Sequence, residues 1–125
     1  MRLLLDTHIF LWVVMESPRL KAPARQTIES AEQVFVSAAS IWEAAIKSRL
    51  GKMEADPEAL AEAIASSGFT ELPVTAAHAA GVASLPLHHA DPFDRLLLAQ
   101  ALAEPLRLLT ADDVVAQYGE WVILV

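Results

Sequence analysis

Residues 2–15, RLLLDTHIFLWVVM, decide how the rest of the chain is read. RLLL is apolar on consecutive positions, as expected of a strand covered on both faces. It ends at Asp6, and THIFLWVVM follows as a helix. The stretch has the hydrophobicity of a signal peptide, but Asp6 and His8 interrupt it and no small-residue cleavage site follows. It is also shorter than the roughly 20 apolar residues that span a bilayer. A buried strand passing straight into a helix is the reading that remains, with no membrane segment.

The pattern repeats downstream. Pro18 closes the first segment, and residues 22–31 resemble a second helix. QVFVS, 33–37, is β-branched and aromatic, as strands are. Residues 38–50 form a helix with Gly51 as its C-terminal cap. Asp56 before Pro57 opens a helix that stops at Gly68, and TELPV, 70–74, reads as a strand. An Ala-rich helix over 75–84 ends before Pro86. Pro92–Glu104 is the next helix, stopped by Pro105. LRLL, 106–109, is a strand, Asp112–Tyr118 a short helix, and WVILV the last strand. Strands alternating with helices predict a three-layer α/β/α sandwich with a mostly parallel sheet. The length suits a single domain over 1–125, and no linker, repeat or low-complexity stretch divides it.

Composition narrows the chemistry. At 54% hydrophobic residues and mean hydropathy +0.38, so short a chain leaves apolar surface exposed unless a partner covers it, which points to a homo-oligomer. The absence of cysteine excludes disulfides, zinc–thiolate sites and thiol nucleophiles, and it fits a reducing cytoplasm. Sixteen acidic residues against nine basic ones give a net charge of −7, the opposite of a broad nucleic-acid-binding face. Chemistry on a nucleic acid must then rely on bound cations or a few local basic residues. The acidity also suits a basic protein partner.

The acids themselves fall at telling positions. In an open parallel sheet, ligands bind beyond the carboxyl ends of the strands. Asp6 ends the first strand, and Asp112 follows LRLL after only Thr110 and Ala111. At 3.6 residues per turn, Asp94 lies on the core-facing stripe with Leu97, Leu98 and Ala101. Glu43 shares a helix face with Ala39, Ile46 and Leu50, with Lys47 beside it. Charges on such faces need partners, because an unpaired buried charge is expensive. Local duties also exist. Asp91 is a good N-cap before Pro92, Asp94 favours the helix dipole, Asp112 or Thr110 can cap the last helix, and Glu43 can pair with Lys47. Asp6 has no local duty. Two like charges about 4 Å apart repel by roughly 4 kcal/mol at an effective dielectric near 20. If these acids converge, they take up protons or bind a cation. All-oxygen ligands select Mg²⁺ or Mn²⁺, and such an ion lowers the pKa of water and neutralises a phosphate under attack.

LLLDTHIFLW, SAASIWEAAIK, HHADPFDRLLLAQA and LLTADD resemble, in order and spacing, the motifs of PIN-domain ribonucleases, and within them the VapC-type toxins of bacterial toxin–antitoxin pairs. The resemblance covers essentially the whole chain. It implies a five-stranded parallel sheet flanked by helices, and Mg²⁺ or Mn²⁺ held by Asp6, Glu43, Asp94 and Asp112. Asp6, Asp94 and Asp112 are the expected metal ligands, with Glu43 positioning water or a second ion. Asp113 adjoins the fourth position, where families vary. Asp91 takes an accessory place in the DPFD variant. The resemblance further implies cleavage of single-stranded stretches of RNA, a homodimer, and a cognate antitoxin that inserts a basic residue into the site.

Other residues carry open alternatives. Thr7, Ser37, Ser40 and Thr110 can hold metal-bound waters or serve as caps. Arg95 can contact substrate phosphate or face solvent. His88 and His89 are read as loop residues, with phosphate or metal-bound water as the alternative. His8 can orient Asp6 or pack structurally, and His78 has no acidic motif near it. Trp12, Trp42 and Trp121 are read as core or dimer contacts. The expected function is a metal-dependent endoribonuclease toxin. The rival is a non-catalytic module whose acid pocket receives a basic peptide. Phosphotransfer on an aspartate is disfavoured, because LLLDTH supplies one acid where a receiver domain has paired acids.

Overall fold

Leu3, Leu4 and Leu5 are all fully buried, yet they serve two different cores. Successive strand residues point to opposite faces. Leu3 and Leu5 join Ile9, Phe10, Val34, Val36, Ala44, Leu60 and Ile64 on one side. Leu4 joins Phe35, Leu85, Leu97, Leu98, Leu108 and Val115 on the other. The computed structural model describes residues 1–125. Its five strands are β1 (Arg2–Leu5), β2 (Gln33–Ser37), β3 (Thr70–Leu72), β4 (Arg107–Thr110) and β5 (Val122–Leu124). They form one sheet in the order β3-β2-β1-β4-β5, and every pairing is parallel. Helices α1 (Thr7–Val14), α2 (Ala22–Ser30), α3 (Ala38–Arg49) and α4 (Pro57–Ser66) contribute to the first core. Helix α5 (Ala76–Gly81) packs against α6 (Pro92–Ala103), which with α7 (Asp113–Ala116) contributes to the second. The three-layer architecture is thus the expected one. No helix is long and apolar enough to cross a membrane.

Sequence punctuation explains most boundaries. Ser37, Asp56, Asp91 and Asp112 each cap the helix that follows by accepting a backbone N–H. At the end of α3, Gly51 has φ +72°, and the N–H groups of Gly51 and Lys52 close on the carbonyls of Ser48 and Lys47. That is a Schellman motif, and it requires the left-handed conformation glycine adopts freely.

Several boundaries differ from expectation. The fourth strand runs Arg107–Thr110 instead of 106–109, because the Leu106 N–H turns back to the Ala101 carbonyl. The helix expected over 75–84 ends at Gly81 and passes into a 3₁₀ turn over Val82–Ser84. The helix expected over 112–118 is only Asp113–Ala116, with Asp112 outside it as the cap. TELPV pairs only over Thr70–Leu72, and Pro73 beyond it has no N–H to offer a ladder.

The strand order creates the site. From β1 the chain crosses to β2 and β3 on one side, then returns to β4 on the other flank of β1. Between β1 and β4 the order reverses, and a crevice opens there at the carboxyl ends of the strands.

Candidate active site

The register of β1 on β4 sets the first two groups. Leu5 pairs with Leu109, so Asp6 stands abreast of Thr110, and the Asp6 N–H bonds the Leu109 carbonyl at 2.9 Å. Asp6 occupies the N-cap position of α1, yet its side chain makes no capping bond. Instead Oδ2 accepts the Thr110 hydroxyl at 2.6 Å, while Oδ1 is buried with no hydrogen-bond partner. Thr110 Oγ1 also accepts the Asp112 N–H at 3.1 Å, which couples the end of β4 to the turn that follows.

Glu43 comes from α3 and is buried. Its Oε2 takes an ion pair with Lys47, one helical turn on, at 2.5 Å. Its Oε1, like Asp6 Oδ1, is buried and unpartnered. Asp94 enters from the first turn of α6 and receives His89 Nε2 on Oδ2 at 2.7 Å. Asp91 Oδ1 accepts the Phe93 and Asp94 N–H groups at 2.8 and 3.1 Å, so its capping role is visible directly. Asp112 Oδ1 accepts the Val114 N–H at 2.8 Å.

These groups line one cavity of about 560 Å³, walled by Asp6, Glu43, Asp91, Asp94, Asp112 and Asp113, with Lys47, His8 and His89 beside them. Six carboxylates thus face a single lysine. The electrostatics follow. Burial pushes the Asp6 carboxyl above its ordinary value, against the Thr110 hydrogen bond, which pulls it down. Asp94 is pushed up to about 7 by burial first and then by the negative charge of Asp6, with His89 opposing. Lys47 is raised by its bond to Glu43. Without a cation the cluster therefore retains protons that free carboxylates lose. Oxygen atoms of Asp94 and Asp112 and a nitrogen of His89 all lie within 4.8 Å of one another, a span that one cation can bridge. Asp6 and Glu43 fall outside that close group but line the same cavity, and the unpartnered carboxylate oxygen each carries is a hard donor suited to a divalent ion.

All four acids expected at the site line this cavity. Thr110 stands directly behind Asp6, whereas Ser40 lies deeper, accepting the Thr7 hydroxyl at 2.9 Å. Arg95 is a correction. It neither faces solvent nor opens onto the cavity; it is buried, and its guanidinium donates to the carbonyls of Pro86 and Val82 and to Tyr118 Oη at 2.8, 3.1 and 3.1 Å. Longer contacts at 3.4 Å reach the His89 and Leu85 carbonyls. His89 is a second correction, since it belongs to the site and not merely to a loop. His88 does stay exposed, edge-on to the Tyr118 ring at 5.0 Å. His8 lies exposed on the cavity wall without packing into the core. His78 is buried and structural, bridging Glu104, Gln100 and the Thr75 cap of α5. Trp42 is largely exposed and rests edge-on against Phe93 at 5.0 Å, so it is no core residue. Trp12 lines the cavity, and Trp121 packs against the second core.

Comparison with known proteins agrees with this geometry. The chain is 36% identical over 116 residues to Ribonuclease VapC22 of Mycobacterium tuberculosis, covering 87% of this chain and 85% of that protein. Its fold is similar to that in the crystal structure of VapBC2 from Rickettsia felis bound to a promoter DNA fragment, with a TM-score of 0.69, 16% identity and coverage of 100% of this chain and 98% of that one. It is likewise similar to a toxin–antitoxin complex from Klebsiella pneumoniae, with a TM-score of 0.68, 19% identity and coverage of 96% and 94%. The family model for the PIN domain matches residues 3–120. A chain matched over nearly its full length, with acids gathered where its parallel sheet reverses order, belongs to the PIN-domain family.

Proposed function

We propose that this chain is a metal-dependent endoribonuclease that acts in the cytoplasm as the toxin of a toxin–antitoxin pair, hydrolysing phosphodiester bonds in single-stranded stretches of RNA. One observation carries the proposal: Asp6 and Glu43 line one cavity with Asp94 and Asp112, and each keeps a buried carboxylate oxygen without a hydrogen-bond partner. A buried oxygen left without a partner costs about 1–3 kcal/mol, so two in one cavity mark a place where a ligand can satisfy both. The relative named as a ribonuclease supports the reaction, and neighbours solved as toxin–antitoxin complexes support the biological setting.

The fitting cofactor is Mg²⁺ or Mn²⁺, which supplies an activated water and neutralises charge on the phosphate. Asp6, Asp94 and Asp112 would hold the ion. Thr110 fixes Asp6 by occupying Oδ2, while Oδ1 has no partner. Glu43, steadied by Lys47, would position water or a second ion. Asp91 acts indirectly, by capping α6 and so setting the depth of Asp94. The chain's net charge of −7 suits an antitoxin that places a basic side chain among these acids, and its apolar content suits a homodimer.

The test is RNA cleavage by the purified, partner-free protein in Mg²⁺ or Mn²⁺, with an EDTA control. Wild type cleaves and EDTA stops it. Asp6→Asn abolishes cleavage while its circular dichroism matches wild type. Unchanged cleavage by Asp6→Asn overturns the assignment. Absence of cleavage by wild type under every divalent ion instead favours a module that only binds a basic partner.

A further inference from the structure

The acidic quartet does not account for His89. Its Nε2 lies 2.7 Å from Asp94 Oδ2, and one of its ring nitrogens lies within 4.8 Å of carboxylate oxygens of both Asp94 and Asp112. Nothing about the acids puts it there. The loop between α5 and α6 is built around the buried Arg95, which gathers the carbonyls of Val82, Leu85, Pro86 and His89. Tyr118 closes the same loop from the far end of α7. Its hydroxyl accepts the His89 N–H at 3.0 Å and donates to the Pro86 carbonyl at 2.8 Å. The two of these contacts that involve His89, to its carbonyl and its N–H, use its backbone alone. The imidazole makes its one hydrogen bond to Asp94 and lines the cavity shared with Asp6 and Glu43, each of which keeps an unpartnered carboxylate oxygen.

We infer that His89 Nε2 is a direct ligand of the divalent cation, beside Asp94 and Asp112, and that this nitrogen makes the site select a first-row transition ion over Mg²⁺. The inference rests on the cation-binding role proposed above. Mg²⁺ prefers oxygen donors, demands near-octahedral geometry and gives up water reluctantly. Imidazole nitrogen raises affinity along the transition series, while carboxylates serve Mn²⁺ as well as Mg²⁺. A merely positioning histidine, which only aims Asp94, would weaken the binding of every ion alike.

The experiment uses the full, partner-free chain stripped of metal. Mn²⁺ is titrated by the electron paramagnetic resonance signal of the free ion, and Mg²⁺ by competition against it. Pulsed spectra of the Mn²⁺-loaded protein report any bound nitrogen. Wild type prefers Mn²⁺ and shows nitrogen modulation. His89→Ala removes the modulation and weakens Mn²⁺ on the order of 10- to 100-fold, with a clearly smaller loss for Mg²⁺. His88→Ala keeps both properties. Because the loop contacts bypass the imidazole, His89→Ala retains the wild-type circular dichroism. Equal losses for the two ions, or modulation that survives in His89→Ala, overturn the inference. Tight Mn²⁺ binding without nitrogen modulation overturns it too, yet leaves the acidic metal site intact. Failure of wild type to bind either ion removes the metal site itself.

Discussion

Replacing Asp94 by Asn makes the metal-free protein more stable at alkaline pH, although it removes a proposed ligand. Burial and the neighbouring Asp6 raise the Asp94 carboxyl from 3.8 to about 7. A raised carboxyl pKa means that the folded state holds a proton the unfolded chain has already lost. Stability therefore falls as pH climbs from about 4, and the penalty is complete once pH passes about 7. At about 1.4 kcal/mol per pH unit the whole span is worth roughly 4 kcal/mol. The side chain is 17% exposed, so solvent screens part of this, and about 2 kcal/mol is the expected penalty. Asparagine carries no charge, and its carbonyl still accepts from His89. In EDTA, urea unfolding should show Asp94→Asn equal to wild type near pH 4 and about 2 kcal/mol more stable at pH 8. Saturating divalent ion reverses the order, because an ion at a hundredfold excess over its dissociation constant adds about 2.7 kcal/mol to wild type. A stability difference between the two proteins that stays constant from pH 4 to 8 would refute the claim that the cluster strains the empty site.

Arg95→Ala empties a buried site and strands several loop carbonyls, so it should lose about 3 kcal/mol in urea unfolding and weaken ion binding through a loosened His89. No change in either quantity would return Arg95 to the surface role first expected of it. Glu16 follows α1 at φ +51°, where the Ser17 N–H closes on the Trp12 carbonyl. Glu16→Gly relieves that left-handed strain and should raise stability by about 1 kcal/mol, read as an increase in the thermal midpoint.

Much of the fold was legible because its signals are local. Consecutive apolar residues in RLLL announce a strand covered on both faces. Asp–Pro pairs at 56–57 and 91–92 open helices, and glycines at 51 and 68 close them, through bonds that span five residues or fewer along the chain. Asp94 could be assigned inward from periodicity alone, since helical spacing ties it to Leu97, Leu98 and Ala101. Arg95 shows where this kind of inference stops. As the neighbour of Asp94 it looked free for solvent or phosphate, but a long side chain goes where its donors find acceptors, and those lie on residues 82 to 89 and on Tyr118. His89 stays ambiguous in the sequence between a loop residue and a site residue for the same reason, since an irregular loop carries no periodicity that would aim its side chains.

The order of residues was enough to establish the kind of layers, the places where strands end in acids, and an excess of negative charge. Each depends on neighbours along the chain or on composition. Folding alone brought β4 against β1, setting Thr110 on Asp6 across 104 residues and leaving one oxygen of Asp6 bare. It also decided that burial and Asp6 push the Asp94 carboxyl up to about 7 and that an imidazole joins the acids. Proton affinity and ligand geometry depend on burial and on distances of a few ångströms, which exist only after remote segments have packed together.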